Sequence, residues 1–356
     1  MTILVTGGCG FIGSNFILNY FLKSDEKIIN LDSLTYAGNL LNLESLKNNN
    51  NYQFVRGSIN NSSIYKEIFK NQEVTSIINF AAESHVDKSI LGPEEFINTN
   101  IIGTFRLLDN VKKYWDNLDG LKKKNFRFLH VSTDEVYGSL NDDDPPFTEN
   151  NKYEPNSPYS ASKASSDHLV RAYNATYGLP TLTTNCSNNY GPFQFPEKLI
   201  PLIIMNALNE KELQIYGDGQ QERDWLFVDD HAKALHQVIS HGKIGETYNI
   251  GGNNVKTNLE VVSEICNNLD EIYKNKPTHI NKYSDLIKFV ADRPGHDMRY
   301  AIDATKIKNE LNWQPQETFE TGIKKTILWY LDNIEWCKVI LSKGDYNGER
   351  LGLIKK

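Results

Sequence analysis

Short apolar runs alternate with amphipathic stretches along the first half of the chain. Residues 3–6, 27–31, 52–56, 76–80, 126–131 and 182–185 read as strands, being too short for surface helices. Between them, 14–22, 63–70, 94–115 and 159–177 carry the helical period. In the third of these, Phe96, Ile97, Ile101, Phe105, Leu108 and Val111 form an apolar stripe whose plain reading is core packing. Strand and helix in alternation predict a parallel sheet covered by helices on both faces. The rhythm stops after residue 185. Irregular polar segments come next, with helical patterns at 199–208, 304–311 and 319–331, and they read as a separate substrate-holding part.

The first strand runs at once into Gly7-Gly8-Cys9-Gly10-Phe11-Ile12-Gly13 and then a helix. Gly7 allows the tight turn, Gly10 lets backbone approach a pyrophosphate, and Gly13 lets helix and strand pack closely. A tight turn alone would explain the glycines, but the second strand ends in Asp32, where a dinucleotide fold carries the acid that holds the adenosine ribose. A carboxylate there repels a 2′-phosphate, so NAD is favoured over NADP. The expected fold is an α/β Rossmann-like doubly wound parallel sheet with a smaller C-terminal α/β substrate domain. The expected division is 1–187 for NAD, with segments near 223–253 returning to it, and 188–356 mainly for the substrate.

Composition narrows the class. A length of 356 residues allows one large or two modest domains, and a formal net charge of -7 argues against nucleic acid as the main partner. Cys9, Cys186, Cys266 and Cys337 show no CxxC spacing, so no metal site is expected and free thiols in a reducing compartment are. No long apolar run and no charged leader precede the first strand, which points to a cytoplasmic chain without a membrane partner.

The chemistry concentrates between Val131 and Lys163. The strand ending at Val131 leads into Ser132-Thr133-Asp134-Glu135, and a later helix opens on Tyr159-Ser160-Ala161-Ser162-Lys163. Tyr159 and Lys163 stand one helical turn apart, and an ammonium beside a phenol favours the phenolate, a usable base. Asp134 and Glu135 are adjacent carboxyls that their surroundings can drive to opposite protonation states, a candidate acid and base. Ala81 and Ala82 come after a strand where backbone would pass close to a cofactor. His85 has no nucleophile motif beside it and reads as structural. Arg223 and Arg293, with Arg299 nearby, are the cations that suit a phosphorylated substrate.

Together with Asn188-Asn189-Tyr190-Gly191-Pro192 and Asp292-Arg293-Pro294-Gly295-His296, these motifs resemble the extended short-chain dehydrogenase/reductase family. The runs Ser132 to Gly138, Ala81 to Asp87 and Phe195 to Pro201 are similar to its nucleotide-sugar 4,6-dehydratase branch, and the likeness spans residues 2–330, weakly extending to 348–352. The resemblance implies NAD as cofactor and a hydro-lyase acting on dTDP-glucose, with UDP-glucose as the alternative nucleotide. Tyr159, Lys163, Thr133, Asp134 and Glu135 would be catalytic. Gly7, Gly10, Phe11, Ile12, Gly13, Asp32, Ser33, Leu34, Thr35, Ser58, Ile59, Ala81, Ala82, Thr99, Tyr159, Lys163 and Asn189 would surround NAD. Ser84, Thr133, Asn188, Glu197, Lys198, Leu199, Tyr216, Arg223, Asn258, Arg293 and His296 would surround the sugar nucleotide. The helices at 94–115 and 159–177 resemble those of a four-helix homodimer interface.

Two positions depart from the family pattern. Gly57-Ser58-Ile59 replaces Gly-Asp-Ile, putting a neutral hydroxyl where a carboxylate would accept from adenine, and Met298 stands where relatives often carry Arg. A 4-epimerase on the same fold would share Tyr159 and Lys163 without needing the carboxyl pair, and a non-catalytic NAD-binding scaffold would need neither.

Overall fold

A computed structural model describes residues 2–21, 24, 26–292 and 296–342. Among these residues twelve strands, β1 (Thr2–Thr6), β2 (Lys27–Asp32), β3 (Tyr52–Arg56), β4 (Ser76–Asn79), β5 (Arg127–Thr133), β6 (Thr181–Cys186), β7 (Asn188–Tyr190), β8 (Leu213–Tyr216), β9 (Glu222–Phe227), β10 (Thr247–Ile250), β11 (Val255–Thr257) and β12 (Ile287–Val290), form three sheets. The large sheet has seven strands in the order β10-β6-β5-β4-β1-β2-β3, all parallel. Strand order reverses between β1 and β4, which opens a crevice at the carboxyl edge.

Alternate residues of a strand face opposite sides, and the core divides accordingly. Ile3 and Val5 join Phe16 and Ile17 of helix Phe11–Phe21 and Leu235 and Val238 of helix Val228–His241 on one face. Leu4 joins Tyr65 of helix Ser62–Asn71, Leu107, Leu108 and Val111 of helix Thr104–Asp116, and Val170 and Tyr173 of helix Pro158–Tyr177 on the other. The doubly wound sheet predicted from the alternation is therefore present. The chain returns to it after residue 187 through β10, whose register pairs Asn249 with Asn185. The three-stranded sheet β11-β9-β7 and the pair β12-β8 pack with helices Leu199–Leu208, Asn258–Ile272 and Phe319–Asp332 around a separate core of Tyr190, Ile203, Ile215, Trp225, Ile265 and Ile323.

Some boundaries differ from the sequence reading. The first helix starts at Phe11 rather than Ser14, and its expected last residue, Leu22, lies outside the described residues. The stretch expected as one helix from residue 94 is interrupted by a π-helical segment, Ile97–Gly103. The wider turn shifts the register of the helix after it, so Phe96, Leu108 and Val111 are buried while Ile97 and Phe105 are 48% and 44% exposed. Helices Val228–His241 and Asn258–Ile272 lie outside the expected elements, although each carries a buried apolar stripe, Val228, Ala232, Leu235 and Val238 in the first and Val262, Ile265, Cys266 and Leu269 in the second. All four cysteines are buried and free. No helix among the described residues is long and apolar enough to cross a membrane.

Candidate active site

The carboxyl edge of the large sheet opens into a cleft of about 480 Å³. It is lined by Gly7, Gly10, Phe11, Ile12 and Gly13 from the first turn, by Asp32, Ser33, Thr35, Ser58 and Ile59 after β2 and β3, and by Ala81, Ala82, Ser84 and Thr99. Thr133, Asp134, Glu135, Tyr159, Lys163, Asn188, Asn189, Glu197 and Lys198 close the other end.

The glycine turn is built as the spacing requires. Gly7 has φ +71°, and a Cβ there would lie 2.6 Å from Ala81 N, so backbone and not side chain separates β1 from β4. At Gly13 a Cβ would meet Gly7 O at 2.5 Å. Phe11, Ile12 and Gly13 form the first helical turn, whose N–H groups have no intrahelical acceptor and carry the positive end of the helix dipole, a setting for a pyrophosphate. Asp32 caps its own turn, accepting from Cys9 N at 2.9 Å and Leu34 N at 2.7 Å, and both oxygens keep lone pairs for ribose hydroxyls. Capping and ribose recognition are thus compatible. Leu34 takes φ +53° and packs against the core rather than lining the cleft. Ser58 lines it, with its hydroxyl accepting from Asn60 N at 3.1 Å. These residues fit a dinucleotide along the edge from Asp32 to Lys163.

Helix Pro158–Tyr177 owes its start to a capping box between Ser157 and Ser160 with Pro158 in the first turn, and this sets Tyr159 and Lys163 at the cleft. Tyr159 is held from three sides: its N donates to Ser89 Oγ at 3.2 Å, Ser162 Oγ donates to its carbonyl at 2.6 Å, and its ring meets Phe96 edge-on at 6.3 Å. Lys163 Nζ donates to Val131 O at 2.9 Å. Burial raises the Tyr159 phenol well above its ordinary value, the Glu135 carboxylate adds to this, and the Thr133 hydroxyl opposes it by hydrogen-bonding the phenol. Burial lowers the Lys163 ammonium.

Thr133 ends β5 and caps the short turn Asp134–Tyr137, accepting from Glu135 N at 3.3 Å. Asp134 is almost fully buried, while Glu135 is half-buried. Burial pushes the Asp134 carboxyl well above the ordinary carboxylate range, with Glu135 and Asp224 adding and Arg223 opposing. The two neighbours therefore sit in different environments, which is what separates an acid from a base.

The other expected residues make contacts of their own. Glu197 accepts from Tyr36 OH at 2.9 Å and Lys88 Nζ at 3.0 Å, with His85 Nε2 at 3.8 Å, and Lys198 Nζ donates to Ser84 O at 2.8 Å. Tyr216, Asn258 and His296 do not line the cleft. Tyr216 OH reaches Asp87 Oδ2 at 3.3 Å, His296 Nδ1 lies 2.6 Å from Asp292 Oδ1, and Asn258 Nδ2 donates to Gln221 Oε1 at 3.4 Å. Leu199 opens helix Leu199–Leu208 and packs on the second core. The Arg223 guanidinium donates to the carbonyls of Glu222, Asp297 and Met298 and lies 4.4 Å from the Tyr300 ring centre. Arg299 pairs with Glu222 and donates to Asn141 O and Asp144 O, so it fastens a loop rather than the cleft. Arg293 lies outside the described residues. Among the described residues no group of His, Cys, Asp and Glu is arranged to hold a metal ion.

Two supporting residues escape sequence reasoning. Asn100, in the π-helical segment, donates to Glu83 O and to Ser162 Oγ and accepts from Glu83 N. An amide on the buried side of an otherwise apolar stripe is the available signal. His231 Nδ1 lies 2.8 Å from Asn189 Oδ1 and fixes that amide at the cleft.

Comparison with known proteins agrees over the whole chain. The model of the family described as GDP-mannose 4,6 dehydratase matches residues 4–326. The dTDP-glucose 4,6-dehydratase of Escherichia coli is 56% identical over 363 residues, covering 100% of each chain. The crystal structure of dTDP-glucose 4,6-dehydratase from Bacillus anthracis in complex with NAD superposes with a TM-score of 0.84 at 49% identity, covering 96% of this chain and 99% of that one. That from Streptomyces venezuelae, also with NAD bound, gives 0.86 at 42% identity, covering 96% and 100%. The chain therefore belongs to the GDP-mannose 4,6 dehydratase family, and the relatives it resembles over its full length are dTDP-glucose 4,6-dehydratases.

Proposed function

We propose that the protein is an NAD-dependent dTDP-glucose 4,6-dehydratase, a lyase that makes dTDP-4-keto-6-deoxyglucose, a step towards deoxysugars such as rhamnose. The observation that carries this is the pairing of a fully buried Asp134 with a half-buried Glu135 beside Tyr159 and Thr133. Tyr159 takes the proton of the sugar 4-hydroxyl, and Thr133 hydrogen-bonds the 4-oxygen. Bound NAD supplies the hydride acceptor for C4, the hydride returned to C6, and a positive charge that favours the phenolate. With a ketone at C4 the C5 proton becomes acidic. Glu135 removes it while Asp134, held as the acid by burial, protonates the departing 6-hydroxyl as water. Gly7, Gly10 to Gly13, Asp32, Ser58, Ala81, Ala82, Thr99 and Asn189 hold the dinucleotide; Ser84, Asn188, Glu197 and Lys198 face the sugar nucleotide.

A 4-epimerase needs no acid for a leaving hydroxyl, so the carboxyl pair argues against it. Residues 1–187, with segments near 223–253, make the NAD part, and 188–356 mainly the nucleotide-sugar part. Exposed Leu91, Ile97, Ile102 and Phe105, beside helix Pro158–Tyr177, support a homodimer. The test incubates the protein with dTDP-glucose and, separately, UDP-glucose and follows the alkali-induced enone absorbance. Glu135→Gln retains NAD and slow C4 oxidation but loses the enone; a wild-type product with an intact 6-hydroxyl refutes the reading.

A further inference from the structure

The helix face that carries Tyr159 and Lys163 presents a third buried polar group one turn further on, Asp167, 4% exposed. Ser132 Oγ donates to Asp167 Oδ2 at 2.8 Å. Behind it a row of neutral groups crosses the sheet. Thr6 Oγ1 donates to Asn79 Oδ1 at 2.6 Å, which turns the Asn79 amide nitrogen to His130 Nδ1 at 3.0 Å. His130 then carries its proton on Nε2, 3.1 Å from Ser166 Oγ, and Ser166 in turn donates to Lys163 O at 2.7 Å. His130 Nε2 also faces Asp167 Oδ1 at 3.3 Å, and the His130 and Tyr153 side chains hydrogen-bond the same carboxyl. Burial, with the Lys163 charge adding, holds His130 below its ordinary value and so neutral.

Neutral donors leave a buried carboxylate its charge, which is costly unless a positive charge compensates it. We propose that Asp167 is a positioning residue for the Tyr159 and Lys163 pair, the counter-charge that keeps the buried Lys163 an ammonium. Lys163 is faced by Asp167 from its own helix, by His130 from β5 and by Cys186 from β6, with Asp134 and Glu135 beyond that thiol. Against the lowering by burial, Asp167 is the larger opposing influence and the Cys186 thiol the smaller. The carboxylate acts through space, because the Lys163 hydrogen bond goes to Val131.

One test is independent of the proposed reaction. In a cycle of Asp167→Asn, Lys163→Met and the double variant, unfolded by urea at saturating NAD, each single change strands a buried charge and lowers the midpoint, and the double variant recovers most of the loss. Additive losses overturn the pairing. Where Asp167→Asn is insoluble, recovery of soluble protein in the double variant supports the pairing and its absence overturns it. The second test rests on the proposed reaction. Asp167→Asn moves the alkaline limb of the kcat/KM profile down by about one pH unit, about a tenfold loss on that limb, and Asp167→Glu restores it. A loss equal at every pH, with the limb in place, marks a structural role and overturns the proposal.

Discussion

The Thr133 hydroxyl donates to Asp134 Oδ1 across 3.3 Å, while Asp134 Oδ2 is buried without a hydrogen-bond partner among the described residues. One side of the carboxyl is thus oriented by its neighbour, and the other is left in a setting that a carbonyl or hydroxyl oxygen, not a negative charge, tolerates.

Asp134→Asn keeps the shape and removes the proton donor. Dehydration falls by about 10²- to 10⁴-fold while NAD stays bound. Stability moves the opposite way. The folded Asp134 carboxyl titrates above the unfolded one, so its contribution is full below the ordinary carboxylate range and is lost as pH rises toward its raised value. Urea midpoints across pH therefore show the variant gaining on the wild type as pH rises; a constant difference contradicts a buried, protonated Asp134.

Ser58→Asp places a charged acceptor at the cleft where the family pattern carries one. NAD affinity, measured by titration of protein stripped of cofactor, tightens by severalfold, since a charged acceptor exceeds a neutral one by roughly 1 kcal/mol. Unchanged affinity removes Ser58 from the adenine contact.

Asn100→Ala strips both hydrogen bonds from the Glu83 backbone and one from Ser162. The unfolding free energy drops by about 2–3 kcal/mol because the Glu83 peptide groups are part-buried, and kcat falls because Ser162 steadies the Tyr159 carbonyl. Chemical denaturation and steady-state kinetics on one preparation check both.

His231 is fully buried, and burial pushes its imidazole down to about 3. It stays neutral in the folded protein while the unfolded chain takes up a proton near the ordinary value of about 6.5. Its contribution is therefore present above that value and lost as pH falls towards 3. His231→Gln, which keeps a hydrogen-bonding group for Asn189, flattens the acid loss of stability in that window; an unchanged slope shows that other groups govern it.

The sequence alone determined what local chemistry can decide. The glycine turn could be read because it demands residues without Cβ at set intervals, and Tyr159 and Lys163 because one helical turn puts them on one face. The doubly wound sheet came from the alternation of apolar runs and amphipathic helices. Resemblance extended this to the acid pair and the cofactor. Tertiary structure alone decided the rest. Tyr216 meets Asp87, Asn258 meets Gln221 and Arg223 meets the Asp297 carbonyl, all distant in sequence, while His296 meets Asp292 only four residues away, and Gln221 ties that aspartate to the same cluster. The π-helical segment turned Ile97 and Phe105 outward, a change of register that no apolar count reveals. Protonation states were equally hidden. Adjacent carboxyls are equivalent along a chain, and only burial, which removes Asp134 from water more completely than Glu135, makes one the acid and leaves the other to be the base.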